Sequence, residues 1–158
     1  MKEQKTNVMR VLEQKKIRYT PHEYPHGDGP VDGVTVAALT GIPAERVFKT
    51  LVAVGASRRH YVFDIPVERE LDLKKAAKAV GEKSVAMIHV SEIMPLTGYV
   101  RGGCSPIGMK KQFRTVFDES VNKLETVCVS GGRIGTQVEL APAELLRLTN
   151  ANTAELTE

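Results

Sequence analysis

Phe48-Lys49-Thr50-Leu51-Val52-Ala53-Val54 and Tyr61-Val62-Phe63-Asp64-Ile65-Pro66-Val67, separated by the polar run Gly55 to His60, decide the fold. The first stretch is apolar on both alternating faces except at Lys49, as a central strand is. Its partner follows after a link of hairpin length. A parallel crossover needs a dozen or more residues, so a purely parallel sheet is excluded and the class is α+β.

Downstream, Asp72 caps a helix over Leu73 to Val80, in which Leu73, Ala76, Ala77 and Val80 share one face and Gly81 closes the last turn. Upstream, Asn7 caps a first helix carrying Val8, Met9, Val11 and Leu12, and Ile17 to Tyr24 reads as extended. The Pro and Gly residues from Pro25 to Gly33 predict a long loop, and Thr35 caps a helix that Gly41 ends. Val85 to Val90 reads as a strand and Ser91 to Met94 as a short helix stopped by Pro95. After a glycine-rich loop come a strand at Thr115 to Phe117 and a last hairpin, Thr126 to Val129 with Gln137 to Leu140, before Pro142 opens a final helix. Residues 150–158 read as a fraying tail. Together these elements predict one domain over 1–158, with a mixed, barrel-like β-sheet flanked by helices.

The 158 residues, 42% of them apolar, suffice for an ordinary core without disulfides. Only Cys104 and Cys128 are present, Met1 to Thr6 lacks an apolar leader, and no run approaches the length of a membrane span. A reduced, cytoplasmic protein is the expectation. A net charge of +3 is too mild to imply nucleic acid by itself. Clusters at Lys15/Lys16/Arg18, Arg58/Arg59, Lys74/Lys75/Lys78 and Lys110/Lys111/Arg114 would form a phosphate-tracking surface only if they converged in space.

Several stretches carry candidate chemistry. His22-Glu23-Tyr24-Pro25-His26 has the H-E-x-x-H spacing of zinc proteases, but that pattern needs a helix and Pro25 breaks one. No other Cys/His set has ligand spacing, so neither metal nor cofactor is expected. Gly103 to Lys110 resembles a P-loop with its lysine displaced by Met109 and the magnesium-binding hydroxyl replaced by Lys111. Cys104 lacks a local Cys-His signature and reads as a small residue lining a loop. The run Gly98 to Lys111 lets backbone N–H groups approach a ligand and is followed by cations, which suits an anionic or strongly hydrogen-bonding group. Ser130-Gly131-Gly132 is a second small-residue turn able to close the same pocket. Lys49 stands in an apolar strand where unpaired lysines are rarely kept. Two readings stay open for it: an ion pair, with Asp64 or Glu139, or an electrostatic group in a pocket.

The combination of Val47-Phe48-Lys49-Thr50-Leu51, Leu71 to Ala77, Leu96-Thr97-Gly98-Tyr99 running on to Lys111, and Leu124 to Gly132 resembles the YbaK/EbsC family of aminoacyl-tRNA deacylases, relatives of the editing domain inserted in bacterial prolyl-tRNA synthetases. The resemblance covers nearly the whole chain. It implies a compact α+β domain with a barrel-like sheet that hydrolyses mischarged aminoacyl-tRNA in trans, above all Cys-tRNA(Pro). It places the family's key lysine on Lys49, its glycine loop on Gly102, Gly103, Ser105 and Pro106, its second turn on Ser130 and Gly131, and a pocket tyrosine on Tyr24. Partners implied are the aminoacylated 3′ end of tRNA and prolyl-tRNA synthetase. The alternatives are a non-catalytic binding module of the same fold and a deacylase for another small amino acid such as alanine.

Overall fold

The structure is a computed structural model and describes residues 5–158; the leader reading at Met1 to Gln4 lies outside them. In chain order the elements are α1 (Asn7–Gln14), β1 (Thr20–Glu23), α2 (Gly33–Thr40), β2 (Phe48–Gly55), β3 (His60–Pro66), α3 (Leu73–Val80), β4 (Val85–Met87), α4 (Val90–Thr97), β5 (Arg114–Asp118), β6 (Val127–Ser130), β7 (Thr136–Leu140), α5 (Pro142–Thr149) and β8 (Asn152–Ala154).

The β2–β3 hairpin forms as expected, with Phe48 opposite Pro66 and Val54 opposite His60. Around it grows a five-stranded sheet in the order β4-β2-β3-β5-β8, mixed because β5 runs parallel to β3 and β8 parallel to β5. On one face, α3 packs Ala76, Ala77 and Val80 onto Ala53, Tyr61, Phe63 and Ile65. Asp72 caps α3 through the N–H groups of Lys74 and Lys75, and Gly81 closes it at φ 73°, a left-handed conformation that costs glycine little.

The remaining strands form a separate antiparallel sheet, β1-β7-β6. Val127, Val129, Val138 and Leu140 turn inward and pack with Val8 and Leu12 of α1 and Leu145 of α5. The two sheets meet at a single parallel bridge between Val47 and Cys128. The barrel-like expectation is therefore corrected to two open sheets: one bridge at the start of β2 does not carry a ladder from one to the other. Among the described residues no helix is long and apolar enough to cross a membrane.

Several local expectations shift. Thr6, not Asn7, caps α1, and Asp32, not Thr35, caps α2 by accepting from the Thr35 N–H. β4 stops at Met87, and α4 runs through Pro95 to Thr97, where the Thr97 hydroxyl donates to the Ile93 carbonyl. The tail expected at 150–158 is not frayed. Asn150 ends α5 in a left-handed turn, β8 pairs with β5, and Leu156 is fully buried with its N–H donating to Asp118 Oδ1 at 3.0 Å. Backbone pairing to an open sheet edge holds this stretch, and a sequence without apolar alternation does not announce it.

Candidate active site

The bridge between Val47 and Cys128 sets the phase of a polar row. Beyond it, on the same strand faces, stand Lys49 of β2 and Ser130 of β6, and Ser130 pairs across the sheet with Gln137 of β7. Tyr24 is held just past β1 by its N–H, which donates to the Gly135 carbonyl at 2.9 Å. These four residues line a pocket of about 340 Å³ whose other walls are largely apolar, including Val52, Val67, Met87 and Ile93.

Lys49 is half-buried on the pocket wall and makes no ion pair with a described residue. Both acids that could have neutralised it are engaged elsewhere. Asp64 accepts from the Thr50 hydroxyl, and Glu139 is held by His22 Nε2 at 2.8 Å and by the Thr126 hydroxyl. Of the two readings open for Lys49, the ion pair falls away. Arg101 is the second cation on the lining, which holds no Asp or Glu. Such a lining favours acceptor groups and developing negative charge.

The glycine loop contributes less backbone than its composition promises. The Gly103 N–H donates to the Val100 carbonyl at 2.9 Å and is spent in a turn. The N–H groups of Gly102 and Cys104, both on residues of the lining, take no hydrogen bond among the described residues. Gly103, Ser105, Pro106 and Gly131 stand behind the wall rather than on it. Ser105 is buried and its hydroxyl accepts from the Ile107 N–H at 3.3 Å, Pro106 is buried beside it, and the Gly131 N–H donates to the Thr136 carbonyl at 2.8 Å. The Tyr99 hydroxyl ties the loop down by donating to the Ile107 carbonyl at 2.6 Å.

Close packing explains the glycines themselves. A Cβ on Gly102, at φ +87°, would lie 2.5 Å from Pro30, and one on Gly103 would lie 2.9 Å from the Arg133 Cα. Backbone cannot step aside as a side-chain tip can. Gly103→Ala is therefore expected to destabilise the protein by about 1–3 kcal/mol, read as a lowered Tm; an unchanged Tm would refute the tight approach.

Cys104 offers no nucleophile of its own. Burial pushes its thiol up to about 12, so it stays protonated at neutral pH. Three polar wall residues were not singled out from sequence: Thr50, Arg101 and Gln137. Gln137 had a legible signal, since Val138 and Leu140 alternate with it and must face the core. Its Oε1 is buried without a hydrogen-bond partner among the described residues.

The match that decides the family spans residues 31–148, which fit the aminoacyl-tRNA editing domain. The chain belongs to the aminoacyl-tRNA editing domain family. Within this family it is 48% identical over 155 residues to an Enterococcus faecalis protein, covering 98% of this chain and 94% of that one. That relative carries the provisional designation Cys-tRNA(Pro)/Cys-tRNA(Cys) deacylase EbsC. A 103-residue stretch is 30% identical to part of the proline–tRNA ligase of Burkholderia thailandensis, covering 63% of this chain but only 18% of that enzyme. Among solved structures, one described provisionally as a trans-editing enzyme for prolyl-tRNA synthetase superposes with a TM-score of 0.82 at 27% identity, over 98% of this chain and 99% of that one. That superposition extends the editing fold beyond residues 31–148 to 98% of this chain.

One cluster in this editing domain has metal-ligand types. Ligand atoms of His22, Cys128 and Glu139 lie within 4.8 Å of one another. It is unrelated to the H-E-x-x-H spacing, because His22 lies on β1, while His26 lies in the following loop with Nδ1 against the Gly27 carbonyl. His22 and Glu139 are joined by a cross-strand hydrogen bond, with the buried Cys128 thiol beside them. Glu139 is held below the usual carboxylate range chiefly by the Thr126 hydroxyl, with His22 adding to it. Burial pushes the Cys128 thiol up to about 12, and Arg46 brings positive charge within reach of both Cys128 and Glu139. A cation would have to displace those bonds and face that charge.

Proposed function

We propose that this protein is a free-standing aminoacyl-tRNA deacylase that removes cysteine from mischarged Cys-tRNA(Pro). What carries this reading is Lys49, a cation without a counter-ion among the described residues, on the wall of a small, largely apolar pocket with no described acidic residue on its lining. The designation of the 48% identical relative supports the same substrate.

The pocket volume of about 340 Å³ suits a small aminoacyl group, and its apolar walls suit a thiol or methyl side chain. The ester carbonyl develops negative charge in the transition state. Lys49 and the free N–H groups of Gly102 and Cys104 are the donors available to it, each well-placed donor contributing about 3–4 kcal/mol. Cys104 is protonated, and the resemblance to the cysteine-specific members of the family implies that the nucleophile is the substrate's own thiol. Its sulfur attacks the ester carbonyl carbon, the bond to the tRNA 3′ oxygen breaks, that oxygen takes up the proton lost by the thiol, and water then opens the cyclic thioester. The protein's part is to position and polarise. Prolyl-tRNA synthetase, which releases the mischarged tRNA, is the partner this role calls for, and the cytoplasm its place.

The test is a panel of Cys-, Ala- and Pro-tRNA(Pro) incubated with purified protein. Release of cysteine at rates well above buffer is expected; no release from any member overturns the enzyme reading. Because Glu139 is already held by His22 and Thr126 and the Cys128 thiol stays protonated, dialysis against a chelator is expected to leave the rate unchanged. A loss reversed by added zinc would reassign that trio.

A further inference from the structure

Asp64 has no role in the chemistry above, yet it is costly to keep. It is fully buried on β3 among apolar neighbours, and its Oδ2 has no hydrogen-bond partner among the described residues. A buried carboxylate left half-satisfied is rare unless something completes it. Its Oδ1 accepts from the Thr50 hydroxyl at 2.6 Å, directly across the hairpin, and Thr50 is part of the pocket wall. Cys104, another wall residue, lies within reach of the same charge.

We infer that Thr50 and Asp64 seat the α-ammonium group of the substrate, Thr50 touching it and Asp64 acting through Thr50 as a positioning residue that supplies negative charge. This rests on the deacylase reading and adds to it how the aminoacyl group is oriented. A threonine hydroxyl has one hydrogen, and here it is committed to Asp64. What remains for the pocket is a lone pair, so the group bound there is a donor. Of the polar groups around an aminoacyl ester linkage, the carbonyl and the phosphates only accept; the neighbouring ribose hydroxyl and the thiol can each donate one hydrogen without charge, whereas the ammonium offers three N–H bonds and a full positive charge. The lining contains Lys49 and Arg101 and no acid. Burial keeps Asp64 protonated before substrate binds, and a seated ammonium favours release of that proton to solvent, so that Asp64 supplies the negative charge that the wall itself lacks. The pocket is thereby sorted: cations and free amides for carbonyl and phosphate oxygens, and Thr50 backed by Asp64 for the amine.

The experiment compares Cys-tRNA(Pro) with tRNA(Pro) carrying the α-hydroxy analogue 3-mercaptolactate, each kcat/KM divided by the uncatalysed rate. The analogue keeps thiol, ester and size and lacks the positive charge. Wild type is expected to cleave it about tenfold more slowly, as loss of one charge-assisted hydrogen bond implies. Asp64→Asn keeps an acceptor for Thr50 and drops the charge; Thr50→Val drops the contact. Both are expected to lose about tenfold on Cys-tRNA(Pro) and little on the analogue, and Thr50→Ser to restore the preference. Equal cleavage of both substrates by wild type, or variants that slow both equally, overturns the inference. Should Asp64→Asn not fold, Thr50→Val and Thr50→Ser decide it alone. A wild type inert on both substrates defeats the deacylase reading instead. Calorimetric titration with cysteine methyl ester against methyl 3-mercaptolactate then tests the seat by itself, with equal or absent binding overturning it.

Discussion

Lys49→Ala is expected to slow deacylation of Cys-tRNA(Pro) about 10²–10³-fold, the range for removing one donor aimed at a developing oxyanion. The fold should hardly notice. Lys49 has no ion-pair partner among the described residues, so its removal leaves no orphaned carboxylate behind. Breaking a buried pair would instead cost about 3–5 kcal/mol. Single-turnover rates with enzyme in excess report the chemical step, and thermal unfolding reports the fold. Lys49→Arg should not rescue, because a planar guanidinium does not place its donors where a compact ammonium does. A variant within a few fold of wild type, or one that unfolds many degrees lower, would remove Lys49 from the chemistry.

The second large effect concerns stability. Burial pushes Asp64 up to about 8, against a usual value of 3.8, and the Thr50 hydroxyl opposes that push only in part. Between these values the folded protein keeps a proton that the unfolded chain releases. Stability is therefore highest at or below the unfolded value and falls as pH rises toward 8, by roughly 5 kcal/mol across the window if Asp64 acts alone. Glu139, held low by Thr126 and His22, works in the opposite direction and is lost only on acidification. Asp64→Asn cannot titrate, so denaturant unfolding from pH 5 to 8 should show a flatter profile and greater stability at neutral pH than wild type. An unchanged slope would clear Asp64 as its cause. A variant sturdier but slower than wild type is what a functional carboxylate in an unfavourable place produces.

Local chemistry made much of this legible. The doubly apolar strand with its short link disclosed the central hairpin, Asp72 and Gly81 bracketed α3, and an out-of-place lysine pointed to the pocket. What stayed hidden depends on contacts distant in sequence. The join at Val47 and Cys128 is one backbone bridge with no compositional trace, so an open pair of sheets and a closed barrel look alike in sequence. The same holds for Gly103, whose amide is consumed by Val100, and for Asp64, whose burial reverses the usual rule for its residue type. Glycine content announces that the backbone comes close to something; here, at Gly103, that something is the Arg133 main chain.

The short strand β8 has a practical consequence for anyone trimming the chain. Cutting at Asn150 would strip β5 of its outer neighbour and uncover the apolar cluster in which Leu156 is buried. A bare row of amides and carbonyls beside greasy side chains recruits strands from other molecules. Shortened versions should come out of expression as aggregates, and a soluble one would more readily be an exchanged dimer than a smaller copy of the native enzyme.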